Sequence, residues 1–236
     1  MLTALDLFCG AGGATRGLQM AGFHVTGIDI KPQPHYVGDA FIQADALNPP
    51  VDLKSFDFIW ASPPCQAYSV AAHGERLRGR QYPDLIAPVR AMLKAAGISY
   101  VIENVPGAPL VCPIKLRGTM FPELKVIRER WFEFSWFMMQ PMQVVEPRSL
   151  LLKHGYVSVA GNGTQGWAYK MGLRWLTADM RKAMDIDWMN RNELSQAIPP
   201  AYAEFIGKAA MQYINHTPRV ESATPAETEE DRSNES

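Results

Sequence analysis

Through the first hundred residues, short apolar runs alternate with longer stretches whose apolar positions recur at helical spacing. "TALDLF" (3–8), "HVTGIDI" (24–30), "FIQADA" (41–46), "FDFIWA" (56–61) and "YVIENV" (100–105) have the length and composition of strands. "ATRGLQMAG", after the first run, and "DLIAPVRAMLKAAG" (84–97) read as helices, the second stopping at glycine. Strand, helix and strand in repeated order predict an α/β fold, a doubly wound Rossmann-like parallel sheet.

Near residue 136 this rhythm ends. "VAGNGTQGWAYKMG" (159–172) is rich in glycine and aromatic residues and reads as part of an irregular lobe. "TADMRKAMDIDWM", "NRNELSQAI" and "PPAYAEFIGKAAMQYI" read as three helices that close the chain. The organisation expected is a main domain over residues 1–136, a small lobe over 137–175, closing helices over 176–216 and a tail over 217–236.

Composition and charge sharpen this picture at one place. The tail holds two basic and six acidic residues and almost no apolar side chains, so it reads as disordered. Without it the net charge of −1 becomes +3, a balance compatible with nucleic acid that does not argue for it alone. With 47% apolar residues in 236, one sizeable core is expected. The start has no basic-then-apolar leader, and no apolar run approaches the roughly 18 residues of a membrane span, so a cytoplasmic protein with no membrane partner is expected. Cys9, Cys65 and Cys112 lack paired metal-ligand spacing, which predicts reduced thiols and no metal.

In a doubly wound sheet, ligands sit beyond the carboxyl ends of the strands, and the suggestive residues lie at such ends. "DLFCGAGG" (6–13) places glycines after the first strand, where the backbone turns tightly against a ligand. That turn leaves nicotinamide, flavin and S-adenosylmethionine cofactors open. Asp29 and Asp45 end the next two strands; each could accept from ribose or base, and each could equally be a turn or cap residue. "SPPCQ" (62–66) follows "FDFIWA" and fixes Cys65 on a proline-stiffened turn, while "YVIENV" delivers Glu103 to the end of the neighbouring strand. Thiol and carboxyl can then face one substrate.

In order and spacing these stretches resemble the cytosine-5 DNA methyltransferases that use S-adenosylmethionine. "DLFCGAGG" is similar to the family's cofactor motif, "SPPCQ" to its catalytic cysteine motif and "ENV" to its glutamate motif. "VIRERWFEF" (126–134) resembles the double-arginine block, and "LTADMRKAMDIDWM" and "ELSQAIPPAYAEFIG" the last two blocks, so the likeness spans roughly residues 3–210. Val126 stands where the family usually has glutamine, Ser195 and Gln196 where it has glycine and asparagine, and the recognition region is short, as in small phage-like members.

The resemblance implies a DNA (cytosine-5-)-methyltransferase with Cys65 as nucleophile, Glu103 holding the base, and Arg128 and Arg130 beside the flipped nucleotide. It implies S-adenosylmethionine between Phe8 and Ile30, with Gly10 and Gly12 admitting its methionine portion and Pro63 also among the cofactor-binding residues. Asp29 would hold its ribose, Asp45 its adenine amine, and Ala197 and Ile198 would return near its methionine end. DNA contacts are expected from Gln66 and Ser69, from the basic loop with Arg76, Arg78 and Arg80, and from Gln165, Tyr169, Lys170 and Arg174 in the lobe. The expected partner is duplex DNA and the expected state a monomer. The same chemistry on RNA, single-stranded DNA or a free nucleotide, and a non-catalytic partner of a larger methyltransferase, stay open.

Overall fold

The computed structural model describes residues 1–68, 77–143, 145–159 and 172–217. The tail beyond residue 217, the first half of the basic loop and the glycine-rich stretch 160–171 lie outside the described residues. The expected strands form as β1 (Thr3–Leu7), β2 (His24–Asp29), β3 (Ala40–Gln43), β4 (Phe58–Ala61) and β5 (Ser99–Asn104). Two more follow, β6 (Ile114–Arg117) and β7 (Glu129–Phe134). The sheet runs β3-β2-β1-β4-β5-β7-β6. Its first five strands are parallel, and β7 pairs antiparallel with both β5 and β6.

Two apolar layers cover the sheet, and the alternation along each strand assigns residues to them. Ala4, Phe58, Trp60 and Val101 face one layer, where Leu18 of α1 (Gly13–Ala21) and Tyr202 and Ile206 of α6 (Pro200–His216) pack. Leu5, Leu7, Ile59, Ala61 and Ile102 face the other, against Val89 and Leu93 of α2 (Ile86–Ala96). Strands buried on both faces read as continuous apolar runs. Among its described residues the lobe has a short helix, α3 (Arg148–Lys153), and a parallel bridge between Val126 and Val157 that joins it to the chain entering β7. The closing helices are α4 (Thr177–Met184), α5 (Arg191–Gln196) and α6. Among the described residues no helix is long and apolar enough to cross a membrane.

From β1 the chain winds outward to β2 and β3, then returns to the other side of β1 to place β4 and β5. The order therefore reverses between β1 and β4, whose carboxyl ends lie side by side, with Leu7 opposite Ala61. A crevice is expected at such a reversal. The turns that leave β1 and β4 are the two motif-bearing turns.

Candidate active site

The turn after β1 holds three left-handed residues, Phe8 (φ 62°), Gly10 (φ 50°) and Gly12 (φ 86°). Glycine takes this conformation freely, whereas at Phe8 it costs on the order of 1 kcal/mol that the surroundings must overcome. They do so through hydrogen bonds: Cys9 N–H donates to Ile28 O at 3.1 Å and Gly12 N–H to Cys9 O at 3.0 Å. Asp29 ties the same turn to β2, its Oδ2 accepting from Gly10 N–H at 3.1 Å and its Oδ1 from Lys31 N–H at 2.9 Å. Phe8 is half-buried against the layer of Leu5 and Leu7, while Ile30 is 65% exposed at the crevice edge. Asp45 is exposed and accepts from Leu47 N–H and the Asn48 side chain, stabilising its own turn.

The closing segment returns to this turn. A Cβ on Gly13 would stand 2.5 Å from Ile198 O and 3.4 Å from Ala197 Cβ, so the chain between α5 and α6 lies directly on the start of α1. Trp188 adds a bond from its indole N–H to Ala11 O at 2.9 Å.

Asp6, in β1 just before the turn, escapes sequence reasoning because it reads as a polar interruption of a strand. Its side chain points to the α1 layer and is 1% exposed. Oδ2 accepts from the Thr15 hydroxyl at 2.6 Å, and Oδ1 has no hydrogen-bond partner. Burial above all, with the charges of Asp29 and Glu103, pushes its carboxyl up to about 7. Two acids at one glycine turn, one with a vacant acceptor, suit a cationic ligand.

Beside it, the turn after β4 carries the thiol. Ser62 N–H donates to Leu7 O at 3.1 Å, Pro63 is buried, and Asn104 Nδ2 holds the Pro63 carbonyl at 2.9 Å. The turn therefore hangs between the ends of β1 and β5, with Cys65 half-buried upon it. Burial raises the Cys65 thiol, and the charge of Glu103 raises it further; Arg130 and Arg128 pull the other way.

Glu103 is 7% exposed in β5 opposite Phe132, and Arg130, two residues along β7, meets it diagonally. Arg130 Nε lies 3.0 Å from Glu103 Oε1, and the Ser62 hydroxyl, itself accepting from Trp60 Nε1 at 2.8 Å, also bonds to Glu103. Desolvation nevertheless wins, and the Glu103 carboxyl stays above the usual range in spite of both arginines.

Arg128 has a different position. It is 4% exposed, with Nη1 donating to Val159 O at 2.8 Å and Nη2 to Ser195 O at 2.9 Å. Tyr202, another residue that sequence reasoning missed, donates its hydroxyl to Arg128 O at 2.6 Å. Val126 has no polar role: it is fully buried, and its carbonyl stands 2.1 Å from where a Cβ on Gly118 would be.

Of the expected DNA-contacting residues, Gln66 is half-buried next to Cys65, and Arg78, Arg80 and Arg174 are exposed. The Arg80 guanidinium lies over the Tyr82 ring at 5.5 Å. Ser69, Arg76, Gln165, Tyr169 and Lys170 lie outside the described residues. Among the described residues no group of three His, Cys, Asp or Glu side chains could hold a metal ion.

Residues 2–109 match the model of a family described as C-5 cytosine-specific DNA methylase. The match takes in the glycine turn, Cys65 and Glu103. Among solved structures the fold is similar to a prophage-encoded protein of E. coli named as a DNA modification methyltransferase. That likeness has a TM-score of 0.59 at 14% identity, over 91% of this chain and 100% of the other. It is similar also to the Dnmt2 methyltransferase of S. pombe, with TM-score 0.57, 14% identity, and 91% and 99% of the two chains. The methyltransferase EhMeth of Entamoeba histolytica gives 0.55 at 12% identity, over 91% and 99%. No curated protein matches the chain. At these identities the neighbours speak for a methyltransferase-like α/β fold, and the match over 2–109 points to the family expected from the motifs.

Proposed function

We propose that this protein, as a C-5 cytosine methyltransferase, transfers a methyl group from S-adenosylmethionine to carbon 5 of cytosine in DNA through a covalent Cys65 adduct. The observation that carries this reading is the convergence on one crevice of a proline-held thiol, a buried Glu103–Arg130 pair and an acid-lined glycine turn. S-adenosylmethionine supplies an electrophilic methyl group on a sulfonium centre. Its cationic groups fit the carboxylates present. Asp6 offers the unpartnered Oδ1 and Asp29 an acceptor at the turn; Ile30 and Phe8 offer apolar surface, and Ala197 and Ile198 lie across the start of α1.

Cytosine carbon 5 is a weak nucleophile until a thiolate adds to carbon 6. In this reading the Cys65 sulfur forms that bond, and the electron pair pushed into the ring is stabilised by hydrogen bonds from protonated Glu103 to ring nitrogen 3. The raised carboxyl of Glu103 suits that role, because it takes up a proton more readily than an exposed glutamate. Protonation also removes the negative charge that opposes ionisation of Cys65, so engaging the base and activating the thiol are coupled. After carbon 5 takes the methyl group, its proton leaves to a base and the carbon–sulfur bond breaks, returning the thiolate. Glu103, at 7% exposure, cannot meet a base held in a stack, so the cytosine must swing out of the duplex.

The test uses duplex DNA, single-stranded DNA and transfer RNA with labelled cofactor, followed by nucleoside analysis. Duplex methylation at carbon 5, lost in Cys65→Ser, is expected. A duplex carrying 5-fluorocytosine should trap the unmodified protein covalently, because fluorine does not leave as the proton does. Turnover by the Ser variant sinks the covalent step, and methylation confined to RNA sinks the DNA assignment.

A further inference from the structure

A cavity of about 200 Å³ lies at the antiparallel end of the sheet, between Arg117 at the end of β6, the chain entering β7 and the start of α3. In Å³ it exceeds many-fold the roughly 10–15 that one ordered water needs. Among the residues expected from the sequence to act in catalysis or binding, only Arg128 borders it. Two of the residues that line it each hold a buried guanidinium nitrogen with no hydrogen-bond partner, Arg117 Nη1 and Arg128 Nε. The other nitrogens of both side chains are engaged. Arg117 Nε and Nη2 both meet Glu129 Oε2 at 2.6 Å, and the two Nη atoms of Arg128 hold backbone carbonyls. Arg148, exposed at the rim, donates from Nη2 to Ser158 Oγ at 2.6 Å.

A buried charged donor left without an acceptor is costly, so a lining with two of them calls for one. Water could accept from these donors, but it would leave the charge uncompensated. Arg117 neutralises Glu129, which sets Arg128 and Arg148 against Glu146 and makes the lining net positive. We propose that this cavity binds a phosphate group through Arg117 Nη1 and Arg128 Nε, with Arg148 closing on it from the rim. Guanidinium forks match tetrahedral oxyanions in geometry as well as charge. Burial, followed by the neighbouring Arg130, depresses Arg128 to about 9, and an anion beside it would restore its basicity.

The phosphate comes from a nucleic-acid backbone or is free in solution. The first source rests on the function proposed above; the second does not. Melting temperature of the full chain is followed against inorganic phosphate, with sodium chloride at matched ionic strength as reference, for the unmodified protein and for Arg148→Gln. Arg148 is exposed and outside the catalytic crevice, so the variant should fold. A saturable rise is expected, with the phosphate dissociation constant about tenfold weaker in the variant for want of one charge-assisted hydrogen bond. The salt dependence of duplex binding then identifies the source. A slope smaller by about one in Arg148→Gln means that a backbone phosphate occupies the site. An unchanged slope with the phosphate response intact means that free phosphate does. Absence of a saturable response above chloride overturns the proposal, as does a response equal in both proteins, which would put the anion elsewhere.

Discussion

Replacing Arg130 with Met keeps an unbranched apolar stem and removes the charge and its donors together with the volume of the guanidinium head. The interaction at stake is a 3.0 Å approach to Glu103 between side chains that are 14% and 9% exposed. At an effective dielectric constant of 20 that approach is worth about 5 kcal/mol of direct attraction. The cost in stability is capped at a lower value, because a lone buried carboxylate can protonate instead. With an ordinary glutamate near 4.3, protonation at pH 7.5 costs about 4 kcal/mol, and at pH 5.5 less than 2 kcal/mol. The sign follows from proton counting. The folded-state pKa of Glu103 is already raised, and removing Arg130, the largest influence lowering it, raises it further. Between the unfolded and folded values the native state holds a proton that the unfolded state has released, so stability falls as pH rises, by at most about 1.4 kcal/mol per unit. Urea unfolding of the full chain should therefore show Arg130→Met losing about 1–2.5 kcal/mol more at pH 7.5 than at pH 5.5, Arg128 limiting the effect. The pH-independent part reports the packing of the side chain and its bond from Arg130 Nη1 to Glu129 O. In Arg130→Met combined with Glu103→Gln the pH-dependent part should vanish. An equal loss at both pH values in the single variant would falsify the claim that Arg130 favours the charged form of Glu103.

Glu103→Gln should speed alkylation of Cys65 by iodoacetamide at pH 8, since it removes a charge opposing the thiolate, and in the proposed mechanism should lower methyl transfer by about 10²-fold or more for want of a proton donor to the ring; slower alkylation would contradict the electrostatic ordering. Asp6→Asn should stabilise the free protein at pH 8 by about 1–3 kcal/mol, because an acid raised to about 7 loses stability as pH climbs towards that value, and should weaken cofactor binding. Calorimetry of the cofactor near pH 6.5 in buffers of different ionisation enthalpy should show proton release by the unmodified protein and less by the variant; equal release by both would remove Asp6 from the site. Gly13→Ala places a Cβ 2.5 Å from Ile198 O, so a stability loss of about 1–3 kcal/mol and weaker cofactor binding are expected, and a neutral result by melting and calorimetry would mean that the closing segment yields freely.

How much could be read from the sequence depended on whether the cause was local. β1, β2, β4 and β5 are buried between two helical layers, so apolar runs marked them, and helix α2 stops at Gly97, where φ is 70°. Cys65 and Glu103 were visible because a polar residue at the end of such a run is conspicuous. β6 was missed: "IKLR" is four residues long, two of them charged, at the edge of the sheet. α3 was missed because six residues between polar loops carry too little periodicity. No local pattern could have paired Arg128 with Tyr202, 74 positions away, or with Ser195, 67 away.

The two arginines show how one local pattern serves two distant ends. Positions 128 and 130, two residues apart, share one side of an extended chain, and both charges reach Cys65 and Glu103. Arg130 directs its Nε at the Glu103 carboxylate. Arg128, entering the same strand, joins the carbonyl of Val159 in the lobe to that of Ser195 in α5, while its own carbonyl receives Tyr202 of α6. The lobe and the closing helices thus converge on the residue beside the Glu103–Arg130 pair. Any movement of the lobe or of α5 that shifts Arg128 therefore changes one of the two positive charges that favour ionisation of the Cys65 thiol.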